Sequence, residues 1–379
     1  MWDIQLFKLN FDDREVKAVS EVVEDGWLTM GEKTSEFEEK FSLFLGSETY
    51  CAAVANCTAA LHMSLLALDI QRNDEVIIPA LTFIADANVV NIVGAKVVLA
   101  DSTSLNNWNV NLDSIKNVVT KNTKAIIVVH FAGYPIEDIS EIRDFCIDQD
   151  IKLIEDVAHA PGASVNGQKC GTFGDASCFS FFSNKNLSIG EGGLVASNDE
   201  HIYKKLKYLR SHGMTSLTLD RHKGRSITYD VEQPGLNYRM DEMRASIGLV
   251  QLDKLKEGNK KRGILTNRYR ANLKGSSIEI PFKYKNANLR SAFHIMPVLI
   301  PSKCNRAKVI NYLKDKRIQS SIHYPPFWDF NAYSNQFAAK NFPIAADICN
   351  RELTLPLFPS MTLDQVDHVC EVLLDACNE

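Results

Sequence analysis

The chain has 379 residues, 45% of them hydrophobic and 23% charged, with a formal net charge of −5. That length calls for a large domain with a smaller one rather than one small core, and the composition is that of a globular enzyme. The mild negative charge gives no general reason to bind nucleic acid or an acidic membrane, though a local basic pocket for phosphates stays open.

Short β-branched runs alternate with helical spacing through the first half. Apolar residues at helical spacing from Thr58 to Leu68 predict a helix, preceded by the turn Asn56-Cys57. Strands are expected at Glu75 to Pro79, Ala95 to Asp101, Lys124 to His130 and Ile151 to Asp156, with a helix from Glu137 to Asp148 between the last two. Buried strands alternating with helices predict an α/β domain with a mostly parallel sheet, and such sheets bind ligands beyond the carboxyl ends of their strands. From Met240 to about Arg270 a Leu-, Lys- and Arg-rich pattern predicts one long connecting helix. A strand at Ala292 to Ile300, a helix at Asn305 to Lys316, a Pro- and aromatic-rich loop at His323 to Phe330 and a last helix at Thr362 to Cys377 predict a smaller α+β domain. The expected division is therefore 1–260 and 261–379.

The nine cysteines are scattered and lack CxxC spacing, which reads as reduced thiols. The start has no basic stretch leading into an apolar one, and no window approaches the ~20 apolar residues of a membrane span. A cytoplasmic location is expected.

Four local features carry chemistry. Asp156 ends an apolar strand, where a carboxylate is costly unless it meets a cation or hydrogen-bond donors, or caps a helix. Lys185 follows the aromatic run Phe179 to Phe182 and precedes the turn Gly190-Glu191-Gly192-Gly193; it is either a solvated lysine or a partly buried amine of depressed pKa, able to form a Schiff base. Cys57 and Thr58 open a helix, which offers either an anion site or a plain Thr N-cap, and Ser180 and Ser183 lie near the lysine. Phe83, after a strand, either stacks on a flat ligand or fills the core. Together a lysine for an aldehyde, an acid for a ring nitrogen and an anion site are what a pyridoxal-phosphate enzyme requires.

The whole series resembles the DegT/DnrJ/EryC1/StrS aminotransferases, sugar aminotransferases of the aspartate-aminotransferase fold (fold type I). The landmarks are Gly26 to Gly31 with Glu38, Cys57 to Leu61, Pro79 to Phe83, Glu155 to Ala160, Phe179 to Gly193, Arg210 to Gly213, Gly235 to Met240 and Leu355 to Leu357. The resemblance implies that Lys185 is the Schiff-base lysine and proton carrier, that Asp156 pairs with the pyridinium nitrogen, and that Phe83 and Ala158 sandwich the ring. Cys57, Thr58 and Ser180 would hold the phosphate, and His159 would lie beside the cofactor's phenolic oxygen or the substrate. Asn237 would reach the cofactor phosphate of the other subunit in a homodimer. Thr29, Arg221, His323 and Tyr324 are candidate substrate contacts. The implied reaction moves an amino group from L-glutamate to a ketosugar, most often a nucleotide-linked 4-ketosugar, with 3-ketosugars and free keto-sugar acids as alternatives.

Two departures matter. Cys57 stands where the family often has Gly, which implies either altered loop geometry or an ordinary helical residue. Phe182 stands where many relatives have His, which removes a polar contact. The basic segment from Thr215 to Thr228 either folds over an anionic substrate or is a solvated loop. Relatives that dehydrate sugars replace the lysine with His, whereas Lys185 is kept here; a silent binding homologue would show damage at Lys185, Asp156 or the phosphate turn, and all three are intact.

Overall fold

The computed structural model describes residues 2–46, 48–216, 223–224, 226–283, 286–334 and 336–378. In chain order the helices are α1 (Asp13–Asp25), α2 (Glu32–Leu45), α3 (Cys57–Ala67), α4 (Ile84–Ile92), α5 (Leu112–Lys116), α6 (Ile139–Asp148), α7 (Glu200–Leu209), α8 (Glu242–Asn272), α9 (Arg306–Asp315), α10 (Pro343–Arg351) and α11 (Leu363–Asn378). The strands are β1 (Tyr50–Val54), β2 (Glu75–Pro79), β3 (Lys96–Ala100), β4 (Thr123–Val129), β5 (Lys152–Asp156), β6 (Ser164–Val165), β7 (Gln168–Lys169), β8 (Ala176–Ser180), β9 (Gly193–Ser197), β10 (Leu289–Arg290), β11 (Met296–Leu299) and β12 (Glu352–Leu355).

Seven strands form the central sheet in the order β1-β9-β8-β5-β4-β2-β3, with β9 alone running against the rest. The four β-branched runs expected as strands are β2, β3, β4 and β5, while β1, β8 and β9 were not expected; Val76, Ile78, Ile126, Val128 and Ile154 are fully buried, as a sheet covered on both faces demands. Register aligns the strand ends: Val129 pairs with Asp156, Asp156 with Cys178 and Ser180 with Gly193. Because β9 is reversed, its first residue lies at the same edge of the sheet as the last residues of β5 and β8.

Helix α2 packs Phe37 and Phe41 against Phe181 and Phe179, with ring centroids 5.4 and 4.9 Å apart, and so supports the segment that leads to Lys185. Its first turn has no cap of its own, because Gly31 stands at the N-cap. The buried carboxylate of Glu242, from α8, does that work: it accepts the N–H groups of Gly31, Lys33 and Thr34 at 2.7–2.8 Å and the Thr34 hydroxyl at 2.6 Å.

The predicted long helix is α8. Its Leu249 and Leu255 pack with α2 and β9 residues, while its Leu265 and Tyr269, with Leu273 directly after it, enter a second core with β11, β12, α9 and α11. Ile4, near the chain start, packs into this second core. The antiparallel pair β11–β12 is extended by a bridge between Ser321 and Thr354. Neither α10 nor β12 was anticipated: Pro343 at the first turn starts one and the buried Leu353 and Leu355 anchor the other. Among the described residues no helix is long and apolar enough to cross a membrane.

Candidate active site

A cavity of about 560 Å³ opens at the carboxyl ends of β4, β5 and β8. It gathers Cys57, Thr58, Phe83, Asp156, Ala158, His159, Ser180, Lys185, His323 and Tyr324 on its wall. Strand alternation explains why Asp156 rather than its neighbour belongs to it. Glu155 points to the other face, where it accepts the N–H groups of Gly171, Phe173 and Gly174 at 2.7–2.8 Å and lies 2.9 Å from His130 Nε2.

Asp156 is 7% exposed, and its Oδ1 accepts the Ala158 N–H at 2.8 Å. No helix follows, so Asp156 is not a helix cap. Burial pushes its carboxyl above the usual range, against the opposing pull of the Ala158 N–H and the Lys185 charge. Lys185 is held by a turn in which its N–H donates to the Phe182 carbonyl and the Ile189 N–H to the Phe181 carbonyl, both at 2.9 Å. Next to it, Asn186 is clamped to Asn259 and the Ala292 carbonyl at 2.7 Å each. Burial lowers the Lys185 amine to about 8, with Asp156 and Cys57 acting the other way.

At the mouth, α3 begins with Cys57 in ordinary helical conformation, so the residue that departs from the family's Gly needs no left-handed backbone. The cap is Asn56, not Thr58: the Asn56 side chain accepts the Ala59 N–H at 2.8 Å. That leaves the N–H groups of Cys57 and Thr58, two residues of the cavity wall, at the first turn without intrahelical acceptors. Gly193 lets β9 press against this turn, since a Cβ there would lie 2.4 Å from the Asn56 carbonyl carbon. The Ser180 hydroxyl lines the same corner, whereas the Ser183 hydroxyl is turned to the Gly190 carbonyl at 3.2 Å.

Opposite, the segment that follows the Ser321–Thr354 bridge contributes His323 and Tyr324, the latter packed against the core of the large sheet. The Tyr324 hydroxyl meets His159 Nε2 at 3.0 Å, while His159 Nδ1 accepts the Ala132 N–H at 3.2 Å. Tyr324 also packs against Phe83, with ring centroids 5.5 Å apart. His159, His294 and His323 are all driven towards the neutral form, first by burial. Phe83 and Phe182, both on the wall, are 52% and 43% exposed.

Thr29 and Asn237 are exposed and lie outside this cavity, and Arg221 falls outside the described residues. The sequence reading missed Asn56, Thr82, Asn184, Glu191 and Tyr238 on the wall. It also missed the fully buried Asp86, which accepts the Thr82 hydroxyl and whose second oxygen has no partner among the described residues. Asp86 had no signal because it sits at an apolar helix position; Asn56, directly before a helix start, did have one.

Relatives match over almost the whole length. A spore coat polysaccharide biosynthesis protein of Bacillus subtilis is 36% identical over 95% of this chain and 94% of its own. A GDP-perosamine synthase of Escherichia coli O157:H7 is 32% identical over 97% of each. A sugar aminotransferase candidate of Streptococcus pneumoniae, solved in its PLP form, superposes with a TM-score of 0.88 at 28% identity, covering 100% of this chain and 98% of that one. The model of one family spans residues 10–374. The chain belongs to the DegT/DnrJ/EryC1/StrS aminotransferase family.

Proposed function

We infer that this pyridoxal-phosphate-dependent sugar aminotransferase takes an amino group from L-glutamate and places it on a nucleotide-linked 4-ketosugar. One observation carries the amino-transfer chemistry: Lys185 and Asp156 face a single cavity beside an open helix N-terminus. The nucleotide link is supported by the relative whose name carries a GDP-linked sugar. The donor and the 4-keto position rest on the family resemblance.

The residues present fit the cofactor. A carboxylate destabilised by burial is suited to a ring-nitrogen cation, and the free N–H groups of Cys57 and Thr58 with the Ser180 hydroxyl suit a phosphate. Phe83 and Ala158 on the wall would bound the two ring faces. When bound, pyridoxal phosphate supplies an aldehyde that carries the amino group and a ring that draws electrons from the carbon losing its proton.

The protein's part is to hold and to move protons. With its amine brought to about 8, Lys185 has a substantial unprotonated fraction near neutrality; it would tie the aldehyde carbon covalently and, once displaced, ferry the proton to and from the reacting carbon. Asp156 would keep the ring nitrogen positively charged. The rings of Phe83 and Tyr324, with centroids 5.5 Å apart, would give the exchange an apolar side to the wall. Asn237, exposed and away from its own cavity, would reach the phosphate held by a second copy of the chain in a homodimer. Residues 1–260 would form the cofactor-binding part and 261–379 the smaller part, in a cytoplasmic enzyme.

The test is to add pyridoxal phosphate, trap with borohydride and map the adduct, then supply glutamate with a panel of nucleotide-linked 4-ketosugars, 3-ketosugars and free keto-sugar acids. An adduct on Lys185 with ping-pong amino transfer to a 4-ketosugar is expected. An adduct elsewhere, or turnover confined to another acceptor class, would overturn the corresponding part.

A further inference from the structure

Behind the cavity wall lies a chain of three buried groups that the reaction as described does not use. The bridge between Ser321 and Thr354 continues the antiparallel register by two residues, which sets His323 opposite Glu352. There the His323 N–H donates to Glu352 Oε2 at 2.7 Å. The other carboxyl oxygen, Oε1, lies 2.5 Å from the Thr354 hydroxyl, and that hydroxyl lies 2.8 Å from His323 Nδ1. Glu352 and Thr354 are wholly buried, and the His323 ring lines the cavity. Its Nε2 has no protein partner among the described residues.

We propose that the Glu352 carboxyl sets, through the Thr354 hydroxyl, which nitrogen of His323 carries the proton, and so whether the cavity wall offers an N–H donor or a lone pair beside Tyr324. Proton counting carries this. A hydroxyl donates one hydrogen, and a neutral imidazole has one N–H and one lone pair. With Glu352 ionised, the Thr354 hydroxyl must donate to Oε1 and accept from His323 Nδ1–H, which leaves a bare Nε2 at the cavity. With Glu352 protonated, its O–H donates to Thr354, whose hydrogen turns to Nδ1, and His323 must then carry its proton on Nε2. One proton taken up at Glu352 thus moves the imidazole hydrogen from one edge of the ring to the other without charging the ring.

Both states are within reach. Burial raises the Glu352 carboxyl to about 8, against the Thr354 hydroxyl, the His323 N–H and Arg306; His323 is held down to about 3 by burial and the Lys185 charge. The titratable groups around this chain are Arg306 of α9, which bonds the Cys349 and Glu352 carbonyls, Cys349 of α10, Lys185, and the His159, His294 and Tyr324 side chains. Glu352 is therefore a positioning residue, and its effect on amino transfer rests on the function proposed above.

The experiment is nitrogen NMR of the ¹⁵N-histidine-labelled holoenzyme, with the His323 signals identified by their loss in His323→Gln. Wild type should show Nε2–H on the acid side of about 8 and Nδ1–H on the alkaline side. In Glu352→Gln the backbone N–H of His323 fixes the amide oxygen, so the amide NH₂ donates to Thr354 and Nε2–H should persist at every pH. Thr354→Val should abolish the switch and Thr354→Ser restore it, which separates the relay from a packing defect. A wild-type tautomer that does not change with pH, or a Glu352→Gln variant that still switches, would overturn the proposal. Because no sugar is present, this readout can fail while Lys185 still takes up pyridoxal phosphate, and that uptake can fail with the switch intact.

Discussion

The Tyr324 hydroxyl and His159 Nε2 are 3.0 Å apart, and a backbone group decides which of them donates. The Ala132 N–H occupies the lone pair of His159 Nδ1, so the neutral ring carries its hydrogen on Nε2 and gives it to Tyr324. The phenol oxygen is then an acceptor towards His159, and its own hydrogen is free for the cavity. Tyr324→Phe should lower kcat about tenfold to a hundredfold, the worth of one ~1.5–3 kcal/mol hydrogen bond to a charged group, with cofactor retained. Steady-state rates with an absorbance titration check this; an unchanged kcat removes Tyr324 from the reaction.

Asp156→Asn should keep the fold and lose roughly 10²–10³-fold in kcat, because a neutral amide no longer holds positive charge at the ring nitrogen. Stopped-flow measurement of the glutamate half-reaction isolates the step. Near-normal rates would mean that another group holds that charge.

The Lys185 amine titrates at about 8, and only its unprotonated form attacks an aldehyde. The rate of pyridoxal phosphate uptake by apoprotein should rise about tenfold per pH unit below that value and level off above it. Since Asp156 raises this amine, Asp156→Asn should move the bend to lower pH. A bend that stays put, or moves up, would contradict the assignment.

Glu242→Ala removes the carboxylate that accepts three backbone N–H groups and one hydroxyl at the start of α2. The expected loss is about 2–4 kcal/mol from stranded donors, read as a lower urea midpoint. Glu242→Gln should recover part of it. Equal midpoints for wild type and Glu242→Ala would show that water replaces the carboxylate.

The parallel sheet was legible because its strands are buried on both faces, and runs such as Ile126-Ile127-Val128-Val129 admit few other readings. Asp156 was legible because a carboxylate is out of place at the end of an apolar strand, and Lys185 because an aromatic run precedes it and a glycine-rich turn follows. Of the two readings left open at the start of α3, the Thr58 cap does not hold: Asn56, two residues earlier, takes that role because its short side chain accepts the Ala59 N–H. Glu242 and Glu352 carried no local signal. Each looks like a surface glutamate in sequence, and each acquires its partners only when a distant segment folds against it. The same holds for Asn237 and Thr29, whose place outside their own cavity depends on tertiary structure.

Gly193 and Asn56 belong to stretches far apart in the chain, joined where the reversed strand β9 lies beside β1. The anion pocket is thus a product of the most non-local pairing in the sheet, and such pairings form slowly. A nascent chain that has made its helices and inner strands would still lack the strand that seats Gly193 against the Asn56 turn until residues 193–197 arrive. Capture of the cofactor is then a report that synthesis and folding have passed that point.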